Sequence, residues 1–376
     1  MSWPTLEGLP PEVLILILQA IPLRCCLKGM VHASPVIHEV YRDSRLRILR
    51  NLLNVYYNDL VIRTDAVTAV RSRGLCIEDY RNVDDALILL EKRRQMAFSR
   101  TASTNELAAL LRLHEKAEWF LRDFEKTVTC LPTMSAARWS ERLPMRLSVD
   151  EKRRFFRGFY RLEIWCNIFG RSNFCINEQF PVTIEYSRMV SSFFLTMPPW
   201  EMEEVGCVWW ILRNRLVHAL RADFIYHTPH SGPIENFSSL VMRGPRLVYR
   251  ILHESGNERY DTIRENYDAS VTSMSCFFTN GYPFNRFADS INAGNHPFRK
   301  PANQWNNLDF EGYKKKVESL PKSHQPGGYW HGAWCLSVFT KEPNFVYQTF
   351  VHSFEVSSGS WAWALWDAER IKEWRL

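Results

Sequence analysis

Apolar positions along the chain recur mainly at intervals of three and four. That spacing predicts helices for most of its length. Near the N-terminus, Pro11 suits a first helical turn, where its missing N–H is not needed, and Glu12 complements the dipole there. Val13, Leu14, Ile17, Leu18 and Ile21 then share one broad stripe. Ile15 and Leu16 make the segment apolar nearly all round, and Pro22 ends it. Leu23, Leu27, Met30 and Val31 follow at helical spacing. Ser34-Pro35 reads as a cap with a first-turn proline, opening a third run through Val36, Ile37, Val40 and Tyr41.

Further helices are predicted beyond this point. Asn82 is placed to cap one that carries Val83, Ala86, Leu87 and Leu90. Residues 104–128 put Leu107, Leu111, His114, Leu121, Phe124 and Val128 on one face. Ser148-Val149-Asp150-Glu151 has the form of a capping box. It opens a helix with Phe155, Phe156, Phe159, Leu162, Cys166 and Phe169 inward, and Gly170 is placed to stop it. Met189, Val190, Phe193, Phe194 and Met197 form another stripe that ends at Pro198-Pro199. Glu201, Glu203 and Glu204 then crowd a helix start ahead of Val205, Val208, Trp209, Leu212 and Leu216. Residues 280–304 are rich in Asn, Pro and Gly and read as a long loop. The C-terminal end gathers Trp330, Trp334, Trp361, Trp363, Trp366 and Trp374, with Phe345, Tyr347, Phe350 and Phe354 between them. A strand pair is one reading of that end.

At 376 residues the chain is long enough for two or three domains, or for a small module and one large domain. Hydrophobic residues make up 46% and aromatics 14%, so a sizeable core can form and wholesale disorder is excluded. No run approaches the 18 or so apolar residues of a membrane-spanning helix. The net charge of +6 permits an acidic partner without predicting one. The nine cysteines include no CxxC pair, and their odd number fits reduced thiols in the cytoplasm or nucleus. The opening residues lack the basic region of a secretory signal.

The opening segment resembles an F-box. The resemblance rests on Leu9-Pro10-Pro11-Glu12-Val13-Leu14, Ile17-Leu18, Ile21-Pro22-Leu23, Leu27, Met30-Val31, Ala33-Ser34 and Val40, over about residues 6–46. Cys25-Cys26 stands where many F-boxes carry an acid and a leucine, and Tyr41 alone could serve as the aromatic that often closes the third helix. Segments 147–170, 197–212 and 361–374 are similar to large, uncharacterised F-box-like proteins of filamentous fungi.

The resemblance implies a mostly α fold: a three-helix F-box-like module at 6–50, then a larger helical substrate-binding domain at 51–376 with an aromatic-rich C-terminal end. It implies an adaptor that docks on the Skp-type linker subunit of a cullin–RING (SCF-type) ubiquitin ligase and recruits a protein substrate, with no chemistry and no cofactor of its own. The docking residues would be Leu9, Pro10, Val13, Leu14, Ile17, Leu18, Ile21, Leu27 and Val31. Leu9 and Pro10 would wedge against the partner, with Val13, Leu14, Ile17 and Leu18 divided between partner and core. Periodicity agrees in one respect, since residues 14 to 18 cannot all face a single core. The alternatives are a non-catalytic scaffold whose first helices pack inward, and an enzyme of unknown class.

Other chemistry is thinly represented. His227-Thr228-Pro229-His230 is an HxxH with no further ligands at zinc spacing. His114 reads as a hydrogen-bonded core histidine and Cys166 as an inert core thiol. Nucleophile-elbow, phosphate-loop and dinucleotide motifs do not occur. Asp84-Asp85 read as dipole-favoured residues at a helix start. The basic triplets at 92–94, 152–154 and 314–316 read as solvated helix faces rather than a nucleic-acid stripe. Trp361, Trp363 and Trp366 read as an aromatic plug, with Asp367 and Arg370 paired on the surface.

Overall fold

Ten residues of α1 (Pro11–Ala20) begin as their sequence dictates, with a proline at the first helical position and Glu12 in the first turn. In the computed structural model, residues 5–21, 24–57, 60–77, 79–93, 102–128, 130, 134–170, 193, 197–225, 237–267, 315, 317–327 and 362–374 are described. Thirteen α-helices and no strand occur among them, so the fold is mostly α. No described helix is long and apolar enough to cross a membrane. The conjectured strand pair, the 280–304 loop and Trp330, Trp334, Trp361, Phe345, Tyr347, Phe350 and Phe354 lie outside the described residues.

Helices α1 and α2 (Arg24–Ala33) both pack on α3 (Pro35–Tyr56). The Ser34 hydroxyl accepts from the Ile37 amide, the cap expected there. Leu14, Leu18, Leu27, Val31, Ile37 and Ile48 make the shared core. The third helix does not stop near residue 50. It continues to Tyr56 because Leu49, Leu52 and Leu53 extend its buried face onto α6 (Thr104–Thr127). The Tyr57 hydroxyl then donates to the Leu110 carbonyl at 3.0 Å. A boundary at 50 therefore falls inside a continuous helix.

After α4 (Leu60–Arg71) the chain turns through Gly74, whose φ of 83° suits glycine. Asn82 does not cap α5 (Val83–Lys92). Its amide donates instead to the Gly74 and Cys76 carbonyls, and Asp79 caps the preceding 3-10 turn. Asp84 and Asp85 are exposed in the first turn of α5. Helix α7 (Ala136–Ser140) is a short link to α8.

Helix α8 (Val149–Phe169) is opened by the expected capping box between Ser148 and Glu151. It packs mainly on α4 and on α9 (Pro199–Ile225) and is buried along nearly its whole length. A Cβ at Gly158 would lie 2.6 Å from the Glu204 carbonyl oxygen, so glycine lets these two backbones touch. Gly170 ends α8, though not through a left-handed turn. Its φ is −69°, and a Cβ there would lie 2.0 Å from the Met242 carbonyl oxygen. Three helices follow: α10 (Ser238–Met242), α11 (Pro245–His253) and α12 (Gly256–Asn266).

The C-terminal helix α13 (Ala368–Glu373) returns to the start of α8. Trp366 and Trp374 are buried there, Trp366 stacked on Phe124 and Trp374 set edge-on to Trp139. The side chains of Trp361 and Trp363 are outside the described set. Asp367 and Arg370 do not form a surface pair. Arg370 donates Nε and one NH2 hydrogen to the two oxygens of Glu151, each at 2.6 Å. Asp367 takes Arg154 at 2.8 Å, and its own amide donates to Glu151. The capping carboxylate of α8 thus also anchors the C-terminal end.

His114 and Cys166 are core residues, as their positions on apolar faces suggest. The His114 Nδ1 lies 2.8 Å from the Tyr160 hydroxyl, Tyr56 and Phe156 stack on the ring, and burial lowers its pKa to about 4. Burial pushes the Cys166 thiol well up, and Glu163 adds to the shift.

Candidate functional site

Two anomalies stand out among the described residues: apolar side chains left outside on α1, and charged side chains taken inside on α8. Both arise from where tertiary packing cuts a helical pattern.

On α1, Leu14 and Leu18 point into the module core at 1% and 0% exposure. Val13, Leu16 and Ala20, spaced i, i+3 and i+7, fall on the opposite face and are exposed. Leu16 is 58% exposed and Val13 38%. Pro10 and Leu6 continue the exposed row toward the N-terminus, and Leu9, Ile17 and Ile21 are half-buried at its margin. Between α1 and α3 lies an open hollow of about 480 Å³, lined by Gln19, Leu46, Arg47 and Arg50 among others. The Asn51 amide donates to the Gln19 carbonyl at 2.9 Å and ties the end of α1 to α3 across that hollow.

The nine residues expected to dock therefore separate. Pro10 and Val13 are exposed; Leu9, Ile17 and Ile21 are partly available; Leu14, Leu18, Leu27 and Val31 are sealed. The sealed four cannot meet a partner while the module is folded, because α3 already covers them. Leu16, exposed on the side of the helix away from Leu14 and Leu18, is not among the nine.

The second anomaly is a set of ions at the contact of α4, α8 and α9. Arg157 donates to both Glu204 oxygens at 2.5 and 2.6 Å and pairs with Glu201 at 3.0 Å. Arg161 bridges Asp65 and Glu201, each at 2.6 Å. Arg93 completes Asp65 at 3.3 Å. None of these six side chains is more than 4% exposed. The reading of 92–94 and 152–154 as wholly solvated faces fails at Arg93 and Arg154, which are buried against carboxylates.

Three guanidinium groups face three carboxylates, so the cluster is neutral. Burial alone would raise Glu201. Arg157 and Arg161 outweigh it and hold the Glu201 carboxyl well below the usual carboxylate range, with His324 Nδ1 adding a contact at 3.1 Å. These groups are enclosed and paired with one another. Their physical effect is to fix how α4, α8 and α9 meet. The sequence sign was faint: Arg157 and Arg161 at i, i+4 and Glu201 and Glu204 at i, i+3, each inside an apolar stretch.

Among the described residues no group of three His, Cys, Asp or Glu side chains could hold a metal ion. The HxxH at 227–230 lies outside the described set. No protein-family model, curated protein or solved structure matches this chain.

Proposed function

We propose that the N-terminal three-helix module is an F-box-like docking element, and that the chain recruits a protein substrate to a cullin–RING ubiquitin ligase through the ligase's Skp-type linker subunit. The observation that carries this reading is the outward apolar row of Pro10, Val13, Leu16 and Ala20, on a helix whose other face is fully used by its own core. A helix that is greasy on both sides has one side left for a second molecule. The order of residues from Leu9 to Val40 supports the F-box form of that contact. Covering Val13 and Leu16 would contribute about 1 kcal/mol each, less than full burial because both are already partly covered. The remaining helices would hold the substrate and raise its local concentration at the ligase.

A pull-down of the linker subunit by the full chain tests this. Wild type should retain it, and Val13→Asp with Leu16→Asp should lose it while the helical circular-dichroism signal stays intact. Failure of wild type to retain the linker rejects the proposal. A second reading, a non-catalytic scaffold, is favoured by the burial of Leu14, Leu18, Leu27 and Val31 and by the continuation of α3 onto α6. It predicts that neither wild type nor the double variant binds the linker.

A further inference from the structure

The outward row of α1 is too small to be a whole interface. A stable protein–protein contact takes about 800 Å² and roughly 20 residues from each partner. Pro10, Val13, Leu16 and Ala20 are four side chains along one short helix. A molecule seated on them therefore reaches onto neighbouring surface. Gln19 marks one direction. It lies three residues beyond Leu16, which makes the two neighbours on the helix surface, and it also lines the hollow between α1 and α3. The apolar row thus runs into that hollow along α1 itself.

The α3 side of the hollow is basic. Arg47 and Arg50 line it, and Leu46 between them is 37% exposed. Arg47 is exposed and, among the described residues, neither it nor Arg45 forms an ion pair. Asp43 is the only acid among the lining residues. Arg42 takes it at 3.3 Å and takes Glu39 at 3.2 Å. From residue 39 to residue 50, four arginines stand against two acids. The other end of the row carries the reverse sign. Glu7 and Glu12 are exposed there, again without an ion pair among the described residues. The face is therefore acidic at one end, apolar in the middle and basic at the other, and a surface so polarised fits a partner in one direction only.

We propose that the linker subunit docked on the α1 row extends across the hollow and sets an acidic segment against Arg47 and Arg50. This rests on the docking reading and adds to it the charge and the direction of the partner's surface. Ion pairs at an open rim contribute little to affinity. Their effect is on how fast and in which orientation the two molecules meet.

The rates with which purified linker subunit binds to and leaves the immobilised full chain, followed by surface plasmon resonance at about 0.01 M and about 0.15 M salt, decide it. Wild-type association should slow as salt rises. Arg47→Glu should slow low-salt association about threefold and leave dissociation nearly unchanged. Arg264→Glu, which makes the same change of net charge at an exposed site on α12, should leave both rates alone. Wild-type association that is indifferent to salt overturns the proposal, and that arm needs no variant to fold. An Arg47→Glu variant that associates as fast as wild type also overturns it, as does an Arg264→Glu variant slowed to the same extent. Wild type that does not bind the linker at all rejects the docking reading, and this inference with it. Wild type that binds without the charge effects rejects this inference alone.

Discussion

Helices α1 and α8 break the usual rule of burial in opposite directions. In α1 apolar side chains remain outside after the core is complete. In α8 charged side chains lie inside a helix with almost no free surface. The charges of α8 find their counter-ions within the same chain, so that anomaly is settled internally. The exposed row of α1 is left uncovered among the described residues, and the proposed docking contact rests on it. An anomaly that the fold compensates reports on structure, whereas one left open among the described residues is where a partner can be tested for.

The largest test of this contrast removes a compensating charge. Glu201→Leu leaves three buried guanidinium groups facing two carboxylates, Asp65 and Glu204, and is expected to cost roughly 3–5 kcal/mol, read from urea unfolding. A loss below about 1 kcal/mol would mean that the cluster is looser or wetter than its geometry indicates. Leu14→Ala comes next. It opens a cavity on the sealed face of α1 and is expected to cost about 2–5 kcal/mol by the same measurement.

A pH series probes the interior without a charge partner. His114 is held neutral, with its folded pKa near 4, well below the unfolded value. The unfolded chain therefore takes up a proton first as pH falls. Stability is lost between about pH 6.5 and pH 4, by about 3 kcal/mol from this group. The difference in slope between wild type and His114→Gln measures it, and equal slopes would refute it. Glu201 behaves differently. Its folded pKa is depressed, so its contribution is present above the unfolded carboxylate range and disappears only at strong acid. The smallest stability effect belongs to the exposed row. Leu16→Asp is expected to change stability by no more than about 0.5 kcal/mol, although it should abolish linker binding. A large destabilisation would place Leu16 in the core and erase the contrast.

Much of this architecture was legible in local pattern. The Ser34 cap, the Ser148–Glu151 box, the inward stripes of α6 and α8 and the core placement of His114 all follow from short-range rules, and all occur. Where local rules misled, a distant residue had intervened. Asn82 turned from its cap to the Gly74 and Cys76 carbonyls. Arg93 and Arg154 left the solvent for Asp65 and Asp367, and Arg370 took Glu151 instead of its neighbour on the helix. At the N-terminal face, the sequence indicated which residues were apolar. It did not indicate which of them α3 would cover and which, like Leu16, would stay exposed.

What the sequence by itself determined is the helical content, the starts of α1, α3, α6 and α8 and the apolar excess of α1. These depend on side-chain spacing within a turn or two, where backbone geometry fixes the neighbours. Tertiary structure alone decided which side of α1 stays open and which arginines are buried. Those outcomes depend on groups far apart along the chain, and their pairing has meaning only once α4, α6, α8, α9 and α11 have packed.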